Sequence, residues 1–192
     1  TKIMTPAKGC IIMVPDPTAT INTNEVTFKG VVNNGIQRIS SSLSERSYLV
    51  GNPYPSALDA DAFILANAGV IDGTLAFWTH NTPITLATDL DPGTAGSGKY
   101  AYTSNDYAYY NLTGGLGTEA ISGGGVVPTG EIGSTQGFFV TTNAGIPVSS
   151  EIIFNNSMRM KGGVVLNNSQ FFKMNSSKEK AVKTIEDVFM DL

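Results

Sequence analysis

Short apolar runs that stop at turn residues recur along the whole chain, and they restrict it to an architecture of many brief strands. Such runs lie at Cys10–Val14, Glu25–Lys29, Ile36–Leu43, Ser47–Val50, Thr74–Thr79, Tyr107–Leu112, Gly137–Thr141 and Glu151–Asn155. The breaks between them draw on 21 glycines and nine prolines, while 41% hydrophobic residues in a chain of 192 supply material for a real core. A helical period interrupts the pattern at "DADAFILANAG", where Phe63, Ile64 and nearby alanines form an apolar stripe that Ser56 or Asp59 can cap and Gly69 ends. The expected fold is all-β: a two-sheet antiparallel β-sandwich, jelly-roll-like, with one short helix packed on it.

Two segments read alike. "KGCIIMVPDPTATINTNEVTFKG" from Lys8 and "QGFFVTTNAGIPVSSEIIFNN" from Gln136 both give glycine, apolar strand, polar loop with proline, then Glu and an apolar strand ending in Phe28 or Phe154. Each is expected to be a hairpin, and together they bracket the middle of the chain. Ahead of the helical stretch, Pro53 and Pro55 in "GNPYPSALDADAF" fix two φ angles and remove two backbone donors, so the chain must leave its strand there and turn.

Charge and composition narrow the function classes. Residues 47–158 hold nine acids and one base, Lys99, against a net charge of −4 for the whole chain. A row of phosphates cannot be neutralised by so few cations, so no nucleic-acid partner is expected. No run approaches the roughly 18 apolar residues of a membrane span, and the residues from Thr1 onward are not expected to act as a secretory leader. The chain is expected to be a soluble part, processed or excised, of something longer. Its lone cysteine, Cys10, lies in "CIIMVP" and is expected to be a small buried hydrophobe.

Four stretches could carry chemistry. Gly93, Gly98 and Lys99 match a phosphate-binding loop, but Tyr100 stands where a magnesium-binding hydroxyl belongs, so a hairpin tip is expected instead. Asp89 with Asp91, and Asp59 with Asp61, each resemble half of a calcium loop, yet Gly93 and Phe63 occupy the third ligand position of the two stretches. No cofactor is expected, and calcium at Asp89 and Asp91 is the metal reading left open. His80 has no second histidine or reactive cysteine to join it, and it fits a turn. Sixteen acids could include a catalytic pair, which spacing alone cannot identify, so an enzyme ranks last.

The tyrosines are the most informative feature, since five of seven fall in "YAYTSNDYAYY", residues 100–110. One reading makes Tyr102, Asn105, Asp106, Tyr107 and Tyr109 a recognition set that stacks on sugar rings and bonds their hydroxyls. The other packs the rings across strands. Strand alternation puts Tyr107 and Tyr109 on one face and Tyr110 on the opposite one, and the neighbouring Leu112 assigns the first pair to the core.

Taken together, "YLVGNPYPSALDADAFI", "TLAFWTHNTPI", "YTSNDYAYYNLTGG", "STQGFFV" and "FNNSMR", followed by "QFFK", resemble the module that precedes the C-terminal sorting domain in large surface and secreted proteins of flavobacteria. The likeness runs from about Gly9 to Lys173 and departs from the pattern at Cys10, where an aromatic is usual. It implies export by type IX secretion, with that machinery as a partner through the neighbouring sorting domain, and a secreted or cell-surface location. Residues 1–173 would then be the β-sandwich module, and 174–192 a linker running into the sorting domain. The end of the chain reads two ways: Val182, Ile185, Phe189 and Leu192 are spaced as in a helix, whereas "DVFMDL" aligns with the sorting domain's first strand. The expected function is a non-catalytic structural or adhesive module. The alternatives are a glycan- or calcium-dependent binding module, with surface glycan or protein as its partner, and an accessory domain of a secreted hydrolase.

Overall fold

The computed structural model describes residues 3–11, 27, 29–79, 81, 85–86, 100–101, 103–120 and 125–160. It is all-β, with antiparallel sheets layered as a sandwich and a single short helix among the described residues. The strands are β1 (Gln37–Ser40), β2 (Ser47–Gly51), β3 (Leu58–Asp59), β4 (Ile71–Trp78), β5 (Thr85–Leu86), β6 (Tyr100–Ala101), β7 (Tyr107–Asn111), β8 (Gly114–Leu116), β9 (Glu131–Ile132), β10 (Gly137–Thr142) and β11 (Glu151–Phe154), with α1 (Ala60–Ala66) between β3 and β4. One layer is a five-stranded sheet in the order β2-β10-β4-β7-β8. The facing layer is assembled from the β1-β11 ladder, the β3-β9 ladder and α1, while β5 and β6 pair with each other. No helix of the described residues is long and apolar enough to cross a membrane.

The core follows from alternation along "GFFVTT". Phe138, Val140 and Thr142 point inward and are buried, while Phe139 and Thr141 point outward. Ile152 and Phe154 of β11 come from the other layer and are fully buried against them. Phe63 of α1 meets Phe138 edge-on at 5.3 Å and Phe154 at 4.8 Å, and Phe138 also packs on Phe77 at 5.7 Å. Two stretches that lie far apart in sequence, α1 with β4 and β10 with β11, therefore share one aromatic junction.

The proline corner is built as a polar hub. Asn52, buried where β2 ends, places its side-chain amide within 2.8–3.1 Å of the carbonyls of Ser56, Ile132 and Gly133, and its Oδ1 accepts from the Tyr54 N–H. Tyr54 is buried and donates its hydroxyl to the Gly35 carbonyl at 2.6 Å. The guanidinium of Arg159 lies 5.3 Å above the Tyr54 ring and donates to Ser56 Oγ and Asn34 Oδ1. Ser56 is thus engaged by Arg159, and Asp59 is the helix cap, accepting from the N–H groups of Asp61 and Ala62. At the other end of α1, the buried Asn67 side chain bonds both the N–H and the carbonyl of Ile153, filling an edge of β11 as a strand would.

Two expectations fail here. Gln136–Asn156 is not a hairpin: both edges of β10 are taken, by β2 and β4, so β11 pairs with β1 in the opposite layer. The arch lets both strands bury their apolar sides against each other, which a flat hairpin does not. Cys10 is exposed rather than buried, because the chain leaves the edge of β2 just before it. Lys8 bridges Val50 and Gly9 donates to the Leu49 carbonyl, where a Cβ on Gly9 would lie 2.4 Å from Leu49 Cγ. Most of the first repeat, and the segment from 161 to 192 with its two readings and the boundary at 173, fall outside the described residues.

Phe63→Ala is expected to cost about 3–5 kcal/mol in denaturant unfolding, as removal of a buried aromatic at a junction does. Asp59→Ala is expected to cost about 1 kcal/mol, the loss of an N-cap, and the same amount in EDTA as in calcium. A calcium-dependent difference in melting temperature would show that Asp59 holds a metal.

Candidate functional site

The tyrosine stretch occupies the five-stranded sheet where β7 pairs with β4. Register places Tyr107 opposite Trp78, Ala108 opposite Phe77, Tyr109 opposite Ala76 and Tyr110 opposite Leu75. Alternation holds as expected, but the assignment of faces is reversed. Ala108 is fully buried and Tyr110 packs on the core, whereas Tyr107 is half-buried on the outer face and Tyr109 is exposed. The reason is volume: Phe77 and Phe138 already fill the space beneath β7, and a methyl group fits there where a ring does not. Leu112, which pointed to the opposite assignment, lies beyond the end of β7 and is itself 52% exposed.

On the outer face the register runs unbroken through all five strands as Leu116, Tyr109, Ala76, Phe139 and Leu49. Tyr107 stands beside this row, its ring edge-on to Phe139 at 5.8 Å and tilted 37° to Tyr109 at 6.5 Å. Sequence reasoning found the two tyrosines and missed Phe139, Trp78 and Leu49. The alternation of "GFFVTT" was the available signal, since two adjacent phenylalanines in a strand cannot both face one core.

The other residues proposed for recognition separate. Asn105 is exposed in a 3-10 turn, Ser104–Asp106, that Thr103 caps, and its carbonyl accepts from the Ala120 N–H and the Thr118 hydroxyl. Asp106 is turned inward and buried; its Oδ1 accepts from the Asn81 N–H at 3.1 Å, and its carbonyl accepts from both the N–H and the hydroxyl of Thr79. It holds the turn in front of β7 and does not reach the outer face. Tyr102, His80, Asp89, Asp91 and the 93–99 loop lie outside the described residues. Among the described residues no group of three or more His, Cys, Asp or Glu side chains is placed to hold a metal ion.

Tyr110 anchors the opposite side of β7. Its hydroxyl donates to Asp61 Oδ1 at 2.9 Å, tying the sheet to the start of α1. Gly130, in the left-handed region at φ +90°, lies so close that a Cβ there would meet the hydroxyl at 2.4 Å. Burial, then the hydrogen bond to Asp61 and the charges of Asp61 and Asp59, push the phenol up to about 12.

The chain belongs to the family described as Domain of unknown function (DUF8693), whose model matches residues 1–192. Searches of curated proteins and of solved structures return no match.

The raised pKa of Tyr110 carries a pH dependence. The folded state favours the protonated phenol, so this contribution is complete below the ordinary value of 10.0 and is lost as pH rises towards about 12. Unfolding titrations are expected to show stability falling across that window in the native chain and a smaller fall in Tyr110→Phe. Identical curves for the two proteins would remove the Asp61 contact from the account.

Proposed function

We propose that this chain is a non-catalytic structural and adhesive module of an exported bacterial cell-surface protein, set beside the sorting signal through which the type IX machinery receives its substrates. The observation that carries the adhesive part is the outer row of the five-stranded sheet, where Tyr109 and Leu116 are exposed and Phe139 and Leu49 are half-buried. Aromatic side chains on a sheet are held by the backbone ladder, so they offer contact area with little rotamer entropy left to lose on binding. The export part rests on the resemblance. Three of its motif blocks meet in the polar corner, where "GNPYPS" supplies Asn52, Tyr54 and Ser56, "FNNSMR" supplies Arg159, and "STQGFFV" supplies Ser134, which donates to the Tyr54 carbonyl. These residues stabilise the corner, while Phe139 of "STQGFFV" belongs to the outer row. Catalysis, cofactor and nucleic acid have no part in this proposal.

Tyr109→Ala tests it in the full parent chain. Stability is expected to stay within about 0.5 kcal/mol, as for an exposed position. Export is expected to be unchanged, while attachment of cells to a surface falls several-fold. Attachment equal to that of the native strain would remove the adhesive role.

A further inference from the structure

Resting on the adhesive reading, we infer that the outer face of the five-stranded sheet takes a neutral, extended polysaccharide laid across the strands. The first argument is charge. No Asp, Glu, Lys or Arg stands in the row Leu116, Tyr109, Ala76, Phe139, Leu49, or at the sheet positions two residues to either side of it on each strand. This is a neutral field on a chain of net charge −4. A polyanion or a strongly basic protein finds nothing here to pair with, and each of its charges would lose hydration without compensation.

The second argument is spacing. Neighbouring strands lie about 4.8 Å apart, so the row extends about 19 Å, and the backbone positions that carry Tyr109 and Phe139, separated by the strand carrying Ala76, are about 10 Å apart along it. That is the scale of a disaccharide repeat in an extended, equatorially linked chain. Alternate sugar rings meet an aromatic side chain, and Ala76 leaves room for the ring between them. Sugar rings present C–H faces that stack on aromatic faces, and they ring those faces with hydroxyls. The surroundings supply neutral partners of that kind: Ser47 and Thr141, whose hydroxyls lie 3.3 Å apart, flank the row on one side.

Affinity electrophoresis of the whole chain through gels containing hydroxyethyl cellulose, galactomannan or polygalacturonate tests the assignment. Retardation is expected from a neutral polymer, insensitive to added salt, weakened about tenfold in Tyr109→Ala and unchanged in Tyr110→Phe, whose ring faces the other way. Phe139→Ala, checked for native circular dichroism, is expected to behave as Tyr109→Ala does. Binding by neither neutral polymer, retardation by polygalacturonate that salt abolishes, or equal retardation of Tyr109→Ala would overturn it. Self-association in sedimentation that depends on Tyr109 would also overturn it and assign the face to a second copy of the chain. If attachment of cells still requires Tyr109 while no polymer binds, the polysaccharide fails and the adhesive reading stands. If attachment does not require Tyr109, the adhesive reading itself fails.

Discussion

The contact among Phe63, Phe138 and Phe154 decides the rest of the molecule. It joins the helix, the five-stranded sheet and the β1-β11 ladder at one point, with ring separations between 4.8 and 6.4 Å. The facing layer is no continuous sheet; it is two short ladders and a helix of seven residues, none of which could stand alone in water. Burial against the inner face of the larger sheet stabilises them. With Phe77 and Phe138 filling that inner face, β7 can place only Ala108 beneath them, and the sheet must present Tyr107 and Tyr109 to the outside. The candidate binding surface is a consequence of how the core is packed.

The polar corner holds the ends of this arrangement in register. Tyr54 and Arg159 connect the lead-in to β1, the start of the helix and the end of β11: Tyr54 bonds Gly35, and Arg159 reaches Ser56 and Asn34, each more than a hundred positions away in sequence. Asn67 performs a similar service at the far end of the helix by bonding Ile153 on both sides. Each of these groups is buried or half-buried and satisfied, so removing one partner leaves another without water.

Much of the fold could be read before any coordinates. Six of the eight strand-like runs coincide with ladders among the described residues, and the cap at Asp59 follows from a carboxylate placed before an apolar helical stripe. Strand pairing was not legible, because a glycine–apolar–loop–apolar pattern fits an arch between layers as well as a hairpin within one. The side on which Tyr107 and Tyr109 fall was not legible either. Alternation fixes which residues share a face, and only the volumes contributed by Phe77 and Phe138 from distant strands fix which face is inside. Asp106 illustrates the same limit: as a residue type it suits recognition, and its bonds to Thr79 and Asn81 appear only once β4 and β7 are neighbours.

Backbone amide shifts of the isotopically labelled chain, followed while a soluble neutral polysaccharide is added, test the central claim most directly. The expected result is a band of shifted amides crossing the sheet at Leu49, Phe139, Ala76, Tyr109 and Leu116, with β1 and β11 unmoved. Shifts confined to the β1-β11 ladder, or none on the five-stranded sheet, would contradict it.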